Sequence, residues 1–156
     1  MKVIAVVLCY NSSGYIASCL DSLKNVETIV IDNASSDKSV EFVEAHFPKI
    51  KIIKNSKNLG YAGGNNVGIK YALDQNTDFV WIVNPDVEVS KDALREAMVV
   101  MQSDEKIAVV GSKVYFAPSF EFHKERYKKA DLGKVIWYAG GDNDWENVYA
   151  RHWGIN

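Results

Sequence analysis

The chain has 156 residues, a formal net charge of −2, 47% hydrophobic and 24% charged residues, the size of one domain and the make-up of an ordinary soluble globular protein. That charge gives no support to a nucleic-acid partner, so an anionic ligand has to be held locally. No apolar run nears the ~20 residues of a membrane span, Met1-Lys2 leads straight into an apolar run without a signal-peptide pattern, and Cys9 and Cys19 have neither metal nor disulfide spacing. They fit a reducing cytoplasm as small core residues.

In chain order, Val3 to Leu8 is a continuous apolar run, as expected of a strand buried on both faces. Residues 14–24 place Ile16, Leu20 and Leu23 at helical spacing. "ETIVID" (27–32) predicts a second strand, and Val40, Val43 and Phe47 a helix stopped by Pro48. "KIKIIK" (49–54) predicts a third strand and 64–75 a helix. "DFVWIV" (78–83) predicts a fourth strand, Ser90 the cap of a helix carrying Leu94, Ala97, Met98 and Met101, and "KIAVVG" (106–111) a fifth strand. This alternation gives an α/β fold class: a mostly parallel sheet with helices on both faces. Beyond it, "FEFHKERYKKADLGK" reads as a charged loop or hairpin arm. The stretch "KVIWYAGGDNDWENVYARHWGIN" is aromatic, glycine-punctuated and irregular. The division expected is a core over 1–115 and an irregular region over 116–156.

Parallel strands place their carboxyl ends on one edge, where ligands bind. The first strand is followed by Tyr10 and Asn11, the second by Asp32 and Asn33 in "DNASSD", the third by Asn55, Asn58 and Gly60, the fourth by Asn84, Pro85, Asp86 and Glu88. Asn and Asp are common in any turn, but four differing loops converge here. Asp32 is placed to accept hydrogen bonds from a nucleobase imide or a ribose hydroxyl. Asp86 follows a proline that fixes its backbone. A lone carboxylate repels a diphosphate, and Mg²⁺ or Mn²⁺ between them reverses the sign. Asn84, Asp86 and Glu88 alternate and share a side if the segment is extended. "NLGYAGGNN" (58–66) holds three glycines and three asparagines in nine positions, which suits close backbone approach to a ligand at a helix start, with Gly60, Gly63 and Gly64 at the crevice. It matches neither GxGxxG nor GxxxxGK[ST], so dinucleotide and P-loop readings fail.

In this order and spacing, "VVLCYNSSGYIASCLDSL", "IVIDNASSD", "NSKNLGYAGGNNVGI" and "WIVNPDVEV" resemble the donor-binding half of the inverting GT-A-fold family-two glycosyltransferases, with the rhamnosyltransferase-like enzymes of cell-surface polysaccharide synthesis as the nearest branch. The resemblance covers about residues 1–115. It implies a GT-A, Rossmann-like architecture binding a nucleoside-diphosphate sugar, such as a dTDP- or UDP-sugar, with Mg²⁺ or Mn²⁺. Tyr10 and Asn11 would line the nucleotide pocket beside Asn33, and Asp32 would read the base. Asn58, Gly60 and Asn65 would border the ribose and diphosphate. Asp86 would be the metal-holding acid of a DxD motif, with Asn84 where many relatives carry the first Asp. The sugar would pass to a saccharide or lipid-linked acceptor with inversion, in the cytoplasm or peripherally at the inner face of the membrane.

The family's acidic base motif does not occur before Asn156, so the expectation is a truncated donor-binding part, poor in transfer by itself. Asp142 and Asp144 are the remaining catalytic candidates, more simply read as loop polarity. Trp137, Tyr138, Trp145 and Trp153 fit either sugar stacking or the core of a small hairpin. His46, His123 and His152 lack ligand spacing. The "KERYKK" run fits a solvated arm or a contact with anionic lipid. The alternatives are a sugar nucleotidyltransferase, which wants a basic glycine-rich loop after the first strand where this chain has "CYNSSG", and a non-catalytic receiver-like domain, which wants an acidic pair where Cys9, Tyr10 and Asn11 stand.

Overall fold

The computed structural model describes residues 1–153. The chain forms two compact units, Met1–Lys91 and Asp92–Asn156.

In the first unit, β1 (Val3–Cys9), β2 (Glu27–Asp32), β3 (Lys51–Lys54) and β4 (Phe79–Val83) form one sheet in the order β3-β2-β1-β4. Every pairing is parallel, with Cys9 opposite Asp32 and Asp32 opposite Lys54. The helices between them are α1 (Ile16–Ser22), α2 (Ser39–His46) and α3 (Gly60–Asp74). The apolar run of β1 resolves into two faces, because successive side chains of a strand point to opposite sides. Ala5, Val7 and Cys9 pack with Ile16, Cys19, Leu20 and Leu23 of α1 and Val43 of α2. Ile4, Val6 and Leu8 pack with Ile29, Ile31 and Ala72, and with Val67 and Tyr71 of α3. Both cysteines are buried free thiols in that first cluster. The central strand therefore has no wet face, which is why it carries no polar alternation.

The sheet order also explains why α3 lies on the face opposite α1 and α2. The chain steps outward from β1 to β2 to β3, then returns past β1 to place β4 on its other side. Right-handed crossovers put connections running in opposite directions along a sheet on opposite faces. The reversal leaves a crevice outside the carboxyl ends of β1 and β4.

Helix α3 begins at Gly60, four residues before the expected start at residue 64. Glycines inside a helix are unfavourable by propensity, which is what hid its first turn. Tertiary contact overrides the propensity. A Cβ on Gly64 would overlap the Leu8 side chain and lie 3.3 Å from Asn33, and one on Gly68 would overlap Val6. The stripe Gly64, Gly68 and Ala72 thus lets α3 lie close on β1.

The second unit contains α4 (Ala93–Ser103), the antiparallel pair β5 (Val114–Tyr115) with β6 (Ile136–Tyr138), and the hairpin β7 (Gly141–Asp144) with β8 (Tyr149–His152). A short 3₁₀ turn, Lys124–Arg126, lies in the charged segment. Two expectations fail here. Residues 106–111 form no strand: a strand exists only where another pairs with its backbone, and Val109 is 85% exposed. Ser90 does not cap α4, whose capping position is Asp92, without a side-chain cap hydrogen bond.

Candidate active site

The loop after β1 is tied to the loop after β2 by hydrogen bonds that span about 25 residues of sequence. Asn11 adopts the left-handed backbone, φ 51°, which asparagine tolerates better than most residues. Its Oδ1 accepts from the Ser36 and Asp37 amides at 2.8 and 3.3 Å, and its own amide donates to Ser35 Oγ at 3.0 Å. Asp37 completes the knot by accepting from the Ser13 amide at 3.1 Å, the Ser39 amide at 3.0 Å, and the Ser39 hydroxyl. Burial raises the Asp37 pKa, but the hydrogen bonds from Ser39 and Ser13 outweigh it and bring the carboxyl to about 2.

A second knot forms around Asn33, which is 2% exposed. Its Nδ2 donates to Asn58 Oδ1 at 2.8 Å and to the Gly60 carbonyl at 3.2 Å. Its Oδ1 accepts from Asn55 Nδ2 at 3.2 Å and from the Leu59 amide at 3.0 Å. With donor and acceptor both spent, Asn33 shapes the entry to α3. Gly60 follows at φ 72°, and a Cβ there would meet nothing within 4 Å. Backbone conformation is what asks for glycine at this position.

These two knots and the segment after β4 enclose a crevice of about 360 Å³ lined by Leu8, Tyr10, Ser12, Tyr15, Asn33, Asn58, Gly60, Tyr61, Asn84, Pro85 and Asp86. Six of the residues singled out in the sequence thus meet: Tyr10, Asn33, Asn58, Gly60, Asn84 and Asp86. Asn11, Asp32 and Asn65 are not among the lining residues, and the Asn11 side chain is engaged with Ser36 and Asp37. Asp32 is 5% exposed at the end of β2, with Oδ1 accepting from the Ser35 amide at 3.1 Å. Asn65 is also 5% exposed. It donates to the Tyr61 carbonyl at 3.0 Å and leaves a buried Oδ1 without a partner among the described residues.

Asn84, Asp86 and Glu88 are exposed, and Pro85, Val87 and Val89 half-buried. Val87 and Val89 pack on the α1 side of the core, which turns the polar residues outward. Helix α1 clamps this segment at both ends. The Cys19 thiol donates to the Asn84 carbonyl at 3.4 Å, and Ser22 Oγ accepts from the Val89 amide at 3.0 Å. Burial, and after it the charge of Asp86, pushes the Cys19 thiol up to about 12, so it stays protonated and keeps its donor.

Not foreseen at the crevice were Tyr15 and Tyr61, 44% and 61% exposed; each directly follows a glycine, the signal that could have found them. The glycine expectation is corrected in part. Gly60 lines the crevice, whereas a Cβ on Gly63 would meet Leu59 at 3.0 Å, and Gly64 packs on Leu8 and Asn33. Gly64 thus serves the packing of α3 on β1, and Gly63 lies against the capping residue of its own helix. A larger hollow of about 570 Å³ lies at the amino end of β2, lined by Leu20, Leu23, Phe47 and Ile50 among others. It carries none of the strand-end polar groups.

Asp142 and Asp144 lie in β7 of the second unit. Asp142 stands opposite Arg151 across the hairpin. Asp144 closes the turn: Oδ1 accepts from the Asn147 and Glu146 amides at 2.9 and 3.1 Å, and Oδ2 from Asn147 Nδ2 at 3.1 Å. Those bonds, the Asn147 amide first, hold its carboxyl below the usual range. The tryptophans do not form a hairpin core, since Trp137, Trp145 and Trp153 are 52%, 84% and 54% exposed. Two short antiparallel pairs offer too little surface to cover them.

A parallel sheet with a polar crevice at its switch point, beside a helix N-terminus, is where open α/β proteins bind their ligands. The chain belongs to glycosyl transferase family 2, whose sequence pattern matches residues 4–151. It is 35% identical over 100 residues to the low-salt glycan biosynthesis hexosyltransferase Agl10 of Haloferax volcanii, covering 63% of this chain and 32% of the relative. It is 32% identical over 107 residues to the poly(ribitol-phosphate) beta-N-acetylglucosaminyltransferase TarS of Staphylococcus aureus, covering 62% and 18%. The structure of TarS 1-349 in complex with UDP-GlcNAc superposes with a TM-score of 0.57 at 28% identity, over 78% of this chain and 39% of that one. The chain spans less than half the length of each of these relatives.

Proposed function

We propose that this chain binds the nucleoside-diphosphate sugar of a glycosyltransferase that passes the sugar to a saccharide or lipid-linked acceptor with inversion. The observation that carries the reading is the crevice itself, where the Asn84–Pro85–Asp86 turn joins the first residues of α3 between the ends of β1 and β4. A diphosphate there meets the positive end of a 15-residue helix. Tyr10, Tyr15 and Tyr61 offer ring faces for a base or sugar. The UDP-GlcNAc complex of TarS supports a UDP-sugar donor; a dTDP-sugar is the other candidate.

Among the described residues no three His, Cys, Asp or Glu side chains gather as a metal cage. Asp86 alone would suit Mg²⁺ or Mn²⁺, hard cations that take as few as one protein carboxylate. Such a cation, when bound, would supply positive charge against the leaving diphosphate. Asp86 would hold it, the start of α3 would add fixed dipoles toward the same oxygens, and Asp32 would read the base through its remaining carboxylate oxygen. Displacement by the acceptor hydroxyl from the opposite side inverts the anomeric centre, with a carboxylate base taking the proton.

The four motifs between Val6 and Val89 support the rhamnosyltransferase-like branch and cell-surface polysaccharide synthesis. Among the described residues no helix is long and apolar enough to cross a membrane. We place the protein in the cytoplasm, peripherally at the inner membrane face when its acceptor is lipid-linked.

Calorimetric titration with UDP and dTDP, in Mn²⁺ and in EDTA, tests the reading. Chelation should weaken wild-type binding. Asp86→Ala should bind on the order of tenfold more weakly in Mn²⁺ and lose its response to EDTA, as expected for a charged contact. Asp32→Ala should weaken uridine or thymidine as much as the diphosphate. An Asp86→Ala protein with the wild-type response to metal would overturn the metal assignment, and a wild-type chain binding neither nucleotide would overturn the function.

A further inference from the structure

The Tyr61 hydroxyl donates to Asn84 Oδ1 at 3.0 Å across the crevice, from the first turn of α3 to the end of β4. No function described above uses this bond. An amide has two faces of opposite polarity, an acceptor oxygen and an NH₂ donor. Once the oxygen is held by a hydroxyl proton, the side of Asn84 left to a ligand is the donor. Among the described residues, no acceptor engages Nδ2. Both side chains are exposed and both line the crevice.

We propose that Asn84 binds a phosphate oxygen of the donor directly through its amide N–H, and that Tyr61 sets this polarity by holding the amide oxygen. The proposal rests on the donor-site reading above and changes what the turn does. Asp86 stands two residues along and lines the same crevice. A carboxylate at position 84 would double the negative charge facing a diphosphate and make its binding wholly dependent on a cation. An amide presenting N–H removes one charge and adds one donor, so part of the diphosphate affinity becomes independent of metal. The opposite orientation, with Oδ1 toward the ligand, would repel phosphate and suit a cation. The two orientations therefore predict opposite responses to EDTA.

Cys19 keeps the Asn84 backbone in place from behind through its carbonyl, so the side chain can be changed without releasing the turn.

The test is titration of the whole chain with whichever of UDP and dTDP the wild type binds, in Mg²⁺ and in EDTA, with the parent nucleoside as a phosphate-free control. The variants are Asn84→Ala, Asn84→Asp, Tyr61→Phe and the Tyr61→Phe/Asn84→Ala pair. Asn84→Ala should weaken the diphosphate on the order of tenfold in both media, the scale of one hydrogen bond to a charged group, and leave the nucleoside unchanged. Asn84→Asp should bind more weakly still in EDTA and recover in Mg²⁺, giving a steeper metal response than wild type. Tyr61→Phe should cost about threefold alone, by freeing the amide to rotate, and nothing further in the Asn84→Ala background.

Three results would overturn the proposal: a loss in Asn84→Ala confined to Mg²⁺, EDTA binding by Asn84→Asp equal to wild type, or a full Tyr61→Phe effect in the Asn84→Ala background. A wild-type chain that binds neither diphosphate defeats the donor-site reading itself and this proposal with it. Binding by wild type with any of the three overturning patterns defeats this proposal alone.

Discussion

The two units of this chain are built on opposite economies of burial. In Met1–Lys91, a four-stranded parallel sheet is covered on both faces, and nearly every residue of β1 is buried. In the second unit, Val135 and Glu121 are the buried residues among those described, and α4 buries none. The contrast shows which kind of structure stands on its core. A strand covered on both faces leaves no freedom of register, whereas two short antiparallel pairs are held by backbone bonds and turn residues such as Asp144. It also explains where the polar machinery sits: buried knots like that of Asn33 need a rigid frame to hold their partners.

The sharpest way to break the contrast is to empty a core position of the first unit. Leu20→Ala, at a residue 1% exposed, should cost about 2–5 kcal/mol in urea unfolding followed by circular dichroism. A loss under about 1 kcal/mol would show that α1 is not the support it is taken to be here.

Next in size is Gly68→Val. Its Cβ would overlap Val6 and lie 3.0 Å from Ile31, so it should cost about 1–3 kcal/mol through overpacking. The protein that remains folded should bind nucleotide as wild type does. Affinity lost without stability would place this glycine at the ligand.

Smaller, and dependent on pH, is the Asp37 knot. Its folded pKa of about 2 lies below its ordinary value of 3.8. The contribution is therefore fully present above pH ~4 and lost as pH falls through about 2. Urea midpoints of wild type and Asp37→Asn should differ most above pH ~4 and converge near pH 2. A gap that widens on acidification would refute the assignment.

The smallest effect belongs to the second unit. Trp145→Ser, at a residue 84% exposed, should change stability by no more than ~0.5 kcal/mol. A loss comparable to that of Leu20→Ala would show that the tryptophan is covered in solution.

The legible part of the molecule was the part governed by period. The apolar run of β1 and the helical spacing of Ile16, Leu20 and Leu23 announced their elements, and the Asn or Asp at each strand end marked the edge where six of the named residues meet. What misled was local preference overruled from afar. Gly64 of α3 read as backbone approaching a ligand at a helix start, and the closeness of Leu8 to it cannot be seen from within the segment. Residues 106–111 had the composition of a strand, but composition cannot provide a neighbour.

By itself, then, the sequence determined the α/β alternation, the double-sided burial of the central strand and the family to which the chain belongs, since these follow from hydrophobic period and from motif order along one chain. Tertiary structure alone decided the reversal of strand order that opens the crevice, the glycine stripe that seats α3, and the roles of Asn11 and Asn33 as ties between loops. It alone brought Tyr61 to Asn84. Those outcomes rest on contacts between residues 22 to 27 positions apart for the two ties and 23 for the tyrosine pair, and a hydrogen bond is set by distance and direction in space, which no local pattern of residue types encodes.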